Sequence, residues 1–156
     1  MNEWRMSASG RWAGWMLLGM IGLSPVFAGD AQMPKKGIVR PYTEVNFPKD
    51  AEKPKCLQFF LENGDMEKGP STAIMKAAPN CQVAPHYHTA EEQLIVVRGE
   101  VSTGMEGMGD TVLGAGGFAM MPSKQVHWFG CTAKEECVMF VTFDRAYDIV
   151  WVKDKK

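Results

Sequence analysis

Histidine is scarce in this chain, and an excess of charge of either sign is absent. The 156 residues include three His, with 17 Lys and Arg against 18 Asp and Glu, a formal net charge of −1. No basic run occurs, whereas nucleic-acid binding needs clustered Lys and Arg on one face. We therefore predict no nucleic-acid partner. The hydrophobic fraction of 46% is too high for a disordered chain, and the length suits one domain with a buried core.

Long apolar runs are also missing, except for one stretch near the N-terminus. Arg5 and Arg11 lie in a polar beginning, an uncharged apolar run covers residues 12–23, and a Ser-Pro pair interrupts it. Small residues stand at the −3 and −1 positions of a cut after Ala28. This layout is typical of a secretory signal peptide. We expect residues 1–28 to be removed, which predicts a secreted or periplasmic protein.

A membrane anchor is the competing interpretation, because no charge occurs from Trp12 to Gly29. Glycines and a proline leave the strongly apolar part below the roughly 20 residues that a spanning helix needs. The two N-terminal arginines are not adjacent, and no Cys follows the apolar run, so neither twin-arginine export nor a lipid anchor is indicated. We therefore predict no stable membrane anchor.

All four cysteines follow the predicted cleavage site and would face an oxidising compartment. Four cysteines allow three full pairings. Cys131 and Cys137 bracket a short polar stretch between two apolar runs, which favours a disulfide between them. Cys56 with Cys81 is then the companion pairing. Free buried thiols are the alternative.

No stretch after the predicted signal peptide sustains helical periodicity. Residues 29–55 are rich in proline, which predicts an extended N-terminal arm with one short edge strand around 43–47. Over residues 56–152 short strand-like runs alternate with turn signals, and residues 153–156 form a tail. Such a succession predicts an all-β sandwich or barrel. The predicted strands are 56–61, 71–78, 93–97, 100–104, 118–121, 126–129, 137–143 and 149–152.

Two of the predicted strands are apolar at consecutive positions instead of alternating. They contain the runs LIVV at 94–97 and VMFV at 138–141. A strand of this kind is covered on both faces, as when one face lines a barrel and the other meets a second layer or a partner chain. The pattern therefore suggests a homodimer.

All three histidines fall where a single metal site could use them. His86 and His88 are two residues apart, so on a strand both project to the same face. Glu92 follows a short reversal, and His127 comes later on another strand. Three imidazoles and a carboxylate suit a divalent transition metal (Fe, Mn, Ni, Cu or Zn) and leave room for water or substrate. Surface or core histidines are the alternative for an H-x-H pair on its own.

The same residues match a known family pattern. The segment PHYHTAEEQLIVVRG, residues 85–99, resembles the first cupin motif, with two His separated by one residue, a Glu four residues after the second, and a Gly seven after the Glu. The segment GGFAMMPSKQVH, residues 116–127, resembles the second motif, with Gly, Pro and His at matching spacing. The resemblance covers about residues 56–152 and implies a cupin double-stranded β-helix, a jelly-roll barrel.

By that resemblance, His86, His88, Glu92 and His127 match the metal ligands of the family. Alternation along the strands predicts that the site opens on a mostly apolar pocket. Its predicted lining includes Leu94, Phe118, Met120 and Phe129. Cupins share one fold across many activities, so dioxygenase, isomerase and lyase chemistry on a small molecule are all admissible. The alternative is a periplasmic protein that uses the metal to hold a small ligand without turnover.

The chain departs from the cupin motifs at three positions. Asn80 stands where the first motif opens with Gly, and Lys124 stands at the Gly that follows Pro122. Cys131 stands at the closing Asn of the second motif. None of these is a metal ligand in the family, so the predicted site survives, but the turn around Pro122 is put in doubt.

Methionine offers a second candidate site. Met105 and Met108 flank a Glu-Gly pair, and Met120 and Met121 precede a proline. Thioethers are soft ligands that select Cu(I). Methionine is also a common filler of apolar interiors, and this packing role is the interpretation that we favour.

Overall fold

The computed structural model describes residues 36–48 and 54–152. The predicted signal peptide, 1–28 with its cut after Ala28, and the predicted tail, 153–156, lie outside the described residues. Contacts divide the chain into two units, Met1–Ile38 and Val39–Lys156, and every element below belongs to the second. None of the helical structure in the described ranges is long and apolar enough for a membrane span.

The described part of the second unit is built almost entirely of β-strands. One short 3-10 helix covers Tyr42–Glu44. The strands are β1 (Leu57–Gly64), β2 (Ser71–Ala77), β3 (Gln82–Tyr87), β4 (Glu92–Arg98), β5 (Val101–Met105), β6 (Thr111–Leu113), β7 (Phe118–Met121), β8 (His127–Cys131), β9 (Cys137–Phe143) and β10 (Val150–Trp151).

The strands form two five-stranded sheets in which all neighbours are antiparallel. The first sheet has the order β1-β2-β9-β4-β7, and the second has the order β10-β3-β8-β5-β6. Strands that are neighbours in a sheet are often distant in the chain, as β2 and β9 are, so long-range pairing holds the fold together. The predicted all-β architecture is confirmed.

Strict alternation on β2 and β4 places the core between the two sheets. On β4, Glu92, Leu94 and Val96 are buried, while Gln93 and Ile95 are exposed. This is the period of two that a strand imposes on its side chains. Each large apolar side chain buried in this way stabilises the fold by roughly 1.5–3 kcal/mol.

The two continuous apolar runs have only one covered face over much of their length. Ile95 and Val97 of β4 and Phe140 of β9 lie exposed on the outer side of the first sheet. Nothing within the described chain covers them on that side, although the runs suggested coverage of both faces.

The predicted edge strand at 43–47 is wrong. Residues 42–44 form a 3-10 helix instead, in which Glu44 N donates to Pro41 O and Val45 N donates to Tyr42 O, both at 3.0 Å. These local bonds engage the backbone groups that a sheet ladder would need. Two strands were also not predicted. Pro85 interrupts β3, and β6 is only three residues long, so neither gave a clear strand pattern.

Both predicted cysteine pairs are present, Cys56–Cys81 and Cys131–Cys137, with Cα separations of 5.5 and 5.8 Å. Cys56 precedes β1 of the first sheet, and Cys81 precedes β3 of the second. Cys131 ends β8 of the second sheet, and Cys137 begins β9 of the first. Each disulfide therefore joins the two sheets.

The two disulfides lie at the same end of the barrel, which we call the disulfide end. Cys131 N donates a 2.9 Å hydrogen bond to Cys81 O. Gly99 turns the chain beside them with a positive φ of 88°. A Cβ at Gly99 would come within 2.9 Å of Cys137 Sγ, so the close approach of the chain to this disulfide requires glycine.

Candidate metal centre

The four predicted ligand residues meet at the end of the barrel opposite the disulfides, which we call the histidine end. His86 on β3 and His127 on β8 are direct Cα partners, and His88 lies one residue beyond the end of β3. Glu92 is the first residue of β4 in the other sheet. The second sheet therefore supplies the imidazoles and the first supplies the carboxylate. All four side chains are buried.

The turn that carries His88 is held by hydrogen bonds from distant parts of the chain. Thr89 N donates to Asp148 Oδ1 at 2.7 Å, and Lys124 N donates to His88 O at 2.8 Å. Ser123 Oγ donates to Thr89 O at 2.6 Å. These contacts fix the reversal between the second histidine and Glu92, so that the carboxylate returns to the same side as the imidazoles.

The imidazoles converge closely enough for one cation. The potential ligand atoms of His86, His88 and His127 all lie within 4.8 Å of one another. Glu92 Oε2 lies 3.1 Å from His88 Nε2 and 3.3 Å from His127 Nε2. A cluster of three buried imidazoles with this spacing can hold a divalent metal ion.

Backbone carbonyls fix the tautomer of each imidazole. His86 Nδ1 lies 2.8 Å from Ala84 O, and His127 Nδ1 lies 2.8 Å from Gln125 O. His88 Nδ1 makes the equivalent contact with Asp148 O. A carbonyl only accepts, so each Nδ1 must carry the proton and donate. In a neutral ring the Nε2 lone pair is then left for a metal, an arrangement common around metal-ligating histidines.

The ionisable groups of the cluster influence one another strongly. Burial, with further contributions from His127 and His88, lowers the pKa of His86 to about 4. Burial opposes the charged form of Glu92, but its contacts with His127 and His88 outweigh that effect and lower its pKa to about 2. Burial would lower the pKa of His88, yet the hydrogen bond and charge of Glu92 raise it. At neutral pH the cluster therefore contains a carboxylate and a neutral His86.

One buried nitrogen in the cluster has no hydrogen bond of its own. His127 Nε2 lies near Glu92 Oε2 but does not meet hydrogen-bond geometry with any described atom. An unsatisfied buried polar atom is costly and calls for an explanation. A metal ion bound among the three imidazoles would satisfy this nitrogen, so the residues present fit such an ion.

The cavity beside the cluster is about 30 Å³, room for about two water molecules, within a wider space of about 450 Å³ that includes its open mouth. Leu94 and Phe129 line it as predicted, together with Met75 and Phe143. Phe118 and Met120 do not, and that prediction is wrong, because both are exposed on the outer side of β7. The strand FAMM is apolar throughout, so its sequence carries no alternation to fix the face. Met121 faces inward because it pairs with Glu92.

Two residues that contact the cluster or its supporting turn come from a loop that sequence analysis did not connect with the site. The Tyr147 ring lies against the His88 ring, with a centroid distance of 5.2 Å, and Asp148 holds the turn after His88. Both follow β9 in the stretch FDRAYD. No spacing rule relates this stretch to His86 and His88, which are about 60 residues earlier in the chain.

The methionines are divided between the core and the surface. Met121 is buried, whereas Met120 and Met108 are exposed. Neighbouring residues on a strand point to opposite sides, so Met120 and Met121 face different environments. Met121 fills the core, in agreement with the packing interpretation.

The two non-glycine residues at motif glycine positions keep a glycine-like backbone. Asn80 has a φ of 56° and Lys124 has a φ of 63°, both in the left-handed region. The turn around Pro122 is formed, with Gln125 N donating to Pro122 O at 3.0 Å. The departures from the motif therefore leave the turns intact and place backbone strain at Lys124, whereas asparagine tolerates this conformation.

Comparison with known proteins agrees with this architecture. The Cupin domain family matches residues 73–143. No curated protein sequence matches the chain significantly. The chain therefore carries a cupin domain over those residues, and the resemblance seen in the two motifs is confirmed.

Solved structures extend the comparison. An oxalate oxidase in complex with the substrate analogue glycolate is 29% identical, with a TM-score of 0.50, and covers 54% of this chain and 46% of its own. The polyketide cyclase RemF from Streptomyces resistomycificus is 18% identical, with a TM-score of 0.60, over 77% and 88% of the two chains. A double-stranded β-helix protein from Klebsiella pneumoniae is 16% identical, with a TM-score of 0.60, over 76% and 100%. The chain thus spans about half of the oxalate oxidase.

Proposed function

We propose that this protein binds one divalent transition metal ion through His86, His88 and His127, with Glu92 as the fourth ligand, and uses it to act on a small molecule. The observation that carries the proposal is the convergence of three buried imidazoles. The Nδ1 atom of each ring contacts a backbone carbonyl. The Nε2 atom of His127 is left without a hydrogen bond. The native metal among Fe, Mn, Ni, Cu and Zn is left open.

A bound metal ion would supply Lewis-acid or redox chemistry beside the cavity. The residues of the chain would orient the imidazole ligands and keep water away from the substrate. The carbonyls of residues 84, 125 and 148 hold the imidazole planes, and the apolar walls exclude water from the substrate. Glu92 is ionised at neutral pH, so it would serve as an anionic ligand, and its low pKa makes it a weak proton acceptor.

An enzymatic role is favoured by the solved structures that resemble the chain. Their names include an oxalate oxidase, DMSP lyases and a polyketide cyclase, all of which act on small molecules. A role in holding a small ligand or the metal without turnover is the alternative. It is favoured by one observation: Glu92 is the only carboxylate among the described cavity residues, and it is already engaged by His88 and His127.

We further propose that the protein is secreted or periplasmic, with its signal peptide removed after Ala28. All four cysteines are paired, which is consistent with an oxidising, extracellular location. Amino-terminal sequencing of the protein recovered from the extracytoplasmic fraction tests this directly. A mature chain that begins at Gly29 is the expected result, and a retained Met1 in that fraction contradicts it.

Metal analysis of untagged protein tests the site. We expect about one equivalent of metal after reloading, and none in the variant His86→Ala/His88→Ala. Glu92→Gln should weaken retention, while Glu91→Gln, one residue earlier and directed to the surface, serves as the matched control. Equal and negligible metal in the wild type and the double histidine variant would refute the proposal. Screening of the loaded protein against small oxygen-bearing acids, with detection of both binding and product, separates an enzyme from a binding protein.

A further inference from the structure

A cleft opens at the free edges of the two sheets, outside the histidine cluster. Strand β7 ends the first sheet and β6 ends the second, and within the described chain neither pairs on its outer edge. The cleft is lined by β5, by the turn that follows it, by β6 and by β7. Its volume is about 210 Å³, within a wider space of about 550 Å³ that includes its open side. The gap is therefore large enough to admit an ion or a small ligand.

Three methionines, Met105, Met108 and Met120, line this cleft, which we call the methionine cleft. Met108 is 63% exposed and Met120 is 40% exposed, and no other methionine in residues 36–48 and 54–152 is exposed. Met105 is half-buried. A methionine that fills a gap in the core is enclosed by its neighbours, as Met121 is. The packing interpretation therefore accounts for Met121 but not for the methionines that gather in the cleft.

A tight turn holds two of these methionines close together. Met108 N donates to Met105 O at 2.8 Å, which closes a four-residue turn. Gly107 takes the third position of the turn with a φ of 85°, where a type II turn calls for glycine. The Cα atoms at the two ends of such a turn lie within about 7 Å of one another. Glu106 N donates to Val126 O at 2.8 Å, so the turn is also anchored to the segment before β8.

The third methionine comes from the other wall of the cleft. Met120 lies on β7, where pairing with Gln93 of β4 fixes the position of its backbone. A methionine side chain has three rotatable bonds, so thioethers that line the same cleft can turn towards one ion. The backbone therefore determines where the three side chains meet, and their flexibility allows the sulfur atoms to adjust to a ligand.

The other groups around the cleft determine which kind of ion it suits. In the part of the chain that the structure describes, no charged side chain lines it. Its polar side chains besides the thioethers are those of Thr103 and Thr111, which are Cα partners on β5 and β6. Hard divalent cations prefer carboxylates and carbonyls, whereas thioethers are soft, neutral ligands that select Cu(I). A monovalent ion also leaves less uncompensated charge in a neutral site than a divalent ion does.

We propose that Met105, Met108 and Met120 form a thioether site that binds one Cu(I) ion in the methionine cleft. The ion is bound in its reduced state, and the proposal includes no electron transfer. The site is separate from the histidine cluster, where three imidazoles and a carboxylate suit a divalent ion. The inference therefore stands whether or not the histidine cluster binds a metal.

Methyl NMR of the full chain with isotope-labelled methionine methyl groups tests the proposal residue by residue. The probes are Ag(I), a soft monovalent ion that air does not oxidise, and then Cu(I) in the absence of oxygen. We expect the signals of Met105, Met108 and Met120 to shift until one equivalent has been added. The signals of Met121 and Met139, which are buried in the core, should stay unchanged. Unchanged signals from the three cleft methionines, or shifts of the histidine rings in their place, overturn the proposal.

Replacement by leucine separates ion binding from packing, because leucine has a similar volume and no sulfur. In competition with a Cu(I) chelator, Met105→Leu/Met108→Leu/Met120→Leu should lower the affinity at least about 100-fold, and Met108→Leu alone about tenfold. Met66→Leu is the matched control, since Met66 is also partly buried but lies outside the cleft. Thermal unfolding checks the fold, and the exposed Met108 keeps the single variant informative if the triple variant does not fold. Equal Cu(I) affinity in Met108→Leu and Met66→Leu overturns the proposal and leaves the cleft as an apolar cavity.

Discussion

The two ends of the barrel are held together by different means. At the disulfide end, two covalent bonds join the sheets. At the histidine end, the sheets meet through the contacts of Glu92 with His88 and His127 and through hydrogen bonds to the turn after His88. Strand β8 carries both kinds of residue, with His127 and Cys131 roughly 13 Å apart. Covalent stabilisation is therefore placed away from the histidine cluster, which is held by ion-pair contacts and hydrogen bonds.

The largest effect should come from metal binding at the histidine end. A ligand that binds only the folded state at 1,000 times its Kd adds about 4 kcal/mol to the free energy of unfolding. We expect this gain in the wild type and none in His86→Ala/His88→Ala. Chemical denaturation with and without the ion measures it. A gain of equal size in both proteins would show that the metal stabilises the chain elsewhere.

Removal of a disulfide should reduce stability more for the longer loop, with the logarithm of the number of residues that the bond closes. The Cys56–Cys81 bond spans 25 residues and the Cys131–Cys137 bond spans 6. Loop-closure entropy then predicts losses of about 3.5 kcal/mol for Cys56→Ala/Cys81→Ala and about 2 kcal/mol for Cys131→Ala/Cys137→Ala. Urea unfolding of each variant measures the loss. If the two ends are independent, the metal content of the folded protein stays unchanged, and loss of metal in either variant would contradict that independence.

Loosening the turn after His88 should lower the affinity for the metal more than it lowers the free energy of unfolding. Asp148→Ala removes the acceptor for Thr89 N and loosens the segment whose carbonyl orients His88. Such supporting contacts typically change metal affinity 10- to 100-fold. Asp144→Ala is the control, because Asp144 also accepts from a backbone amide but lies on the outer surface. Competition with a chelator measures both affinities, and equal values would show that the Asp148 contact does not position the ligand.

The smallest expected change in the free energy of unfolding comes from relieving backbone strain at the two ends of the barrel. Lys124 near the histidine end and Asn80 near the disulfide end both have a positive φ. Lys124→Gly should raise the free energy of unfolding by about 1 kcal/mol, because lysine is disfavoured in the left-handed region. Asn80→Gly should change it little, since asparagine tolerates that conformation. Thermal unfolding distinguishes the two, and a loss of stability in Lys124→Gly would show that the lysine side chain has a stabilising contact.

Sequence analysis predicted the parts of the site that have a local signature. The spacing of His86 and His88, and the match of His127 to a second motif, indicated a common site, and the structure brings these imidazoles together. The face of β7 could not be predicted, because FAMM offers no polar residue to mark the outside. The role of Asp148 could not be predicted either, because a contact between residues about 60 positions apart depends on the return of the chain after β9.

The cysteine pairs were predicted from a different kind of information. A short polar stretch between two apolar runs indicated a reversal that a disulfide could close, and pairing the remaining two cysteines completed the set. The spacing of the cysteines did not predict that both disulfides lie at one end of the barrel and join the two sheets. That arrangement follows from the sheet order, which is set by the pairing of strands far apart in the chain.

The one-sided placement of the disulfides also determines where the barrel can open without unfolding. Local opening requires the least free energy where few constraints must be broken, and here that is the histidine end. Amide hydrogen exchange along β8 should therefore slow from His127 towards Cys131. During such opening the two disulfides keep the sheets joined at the other end of the barrel.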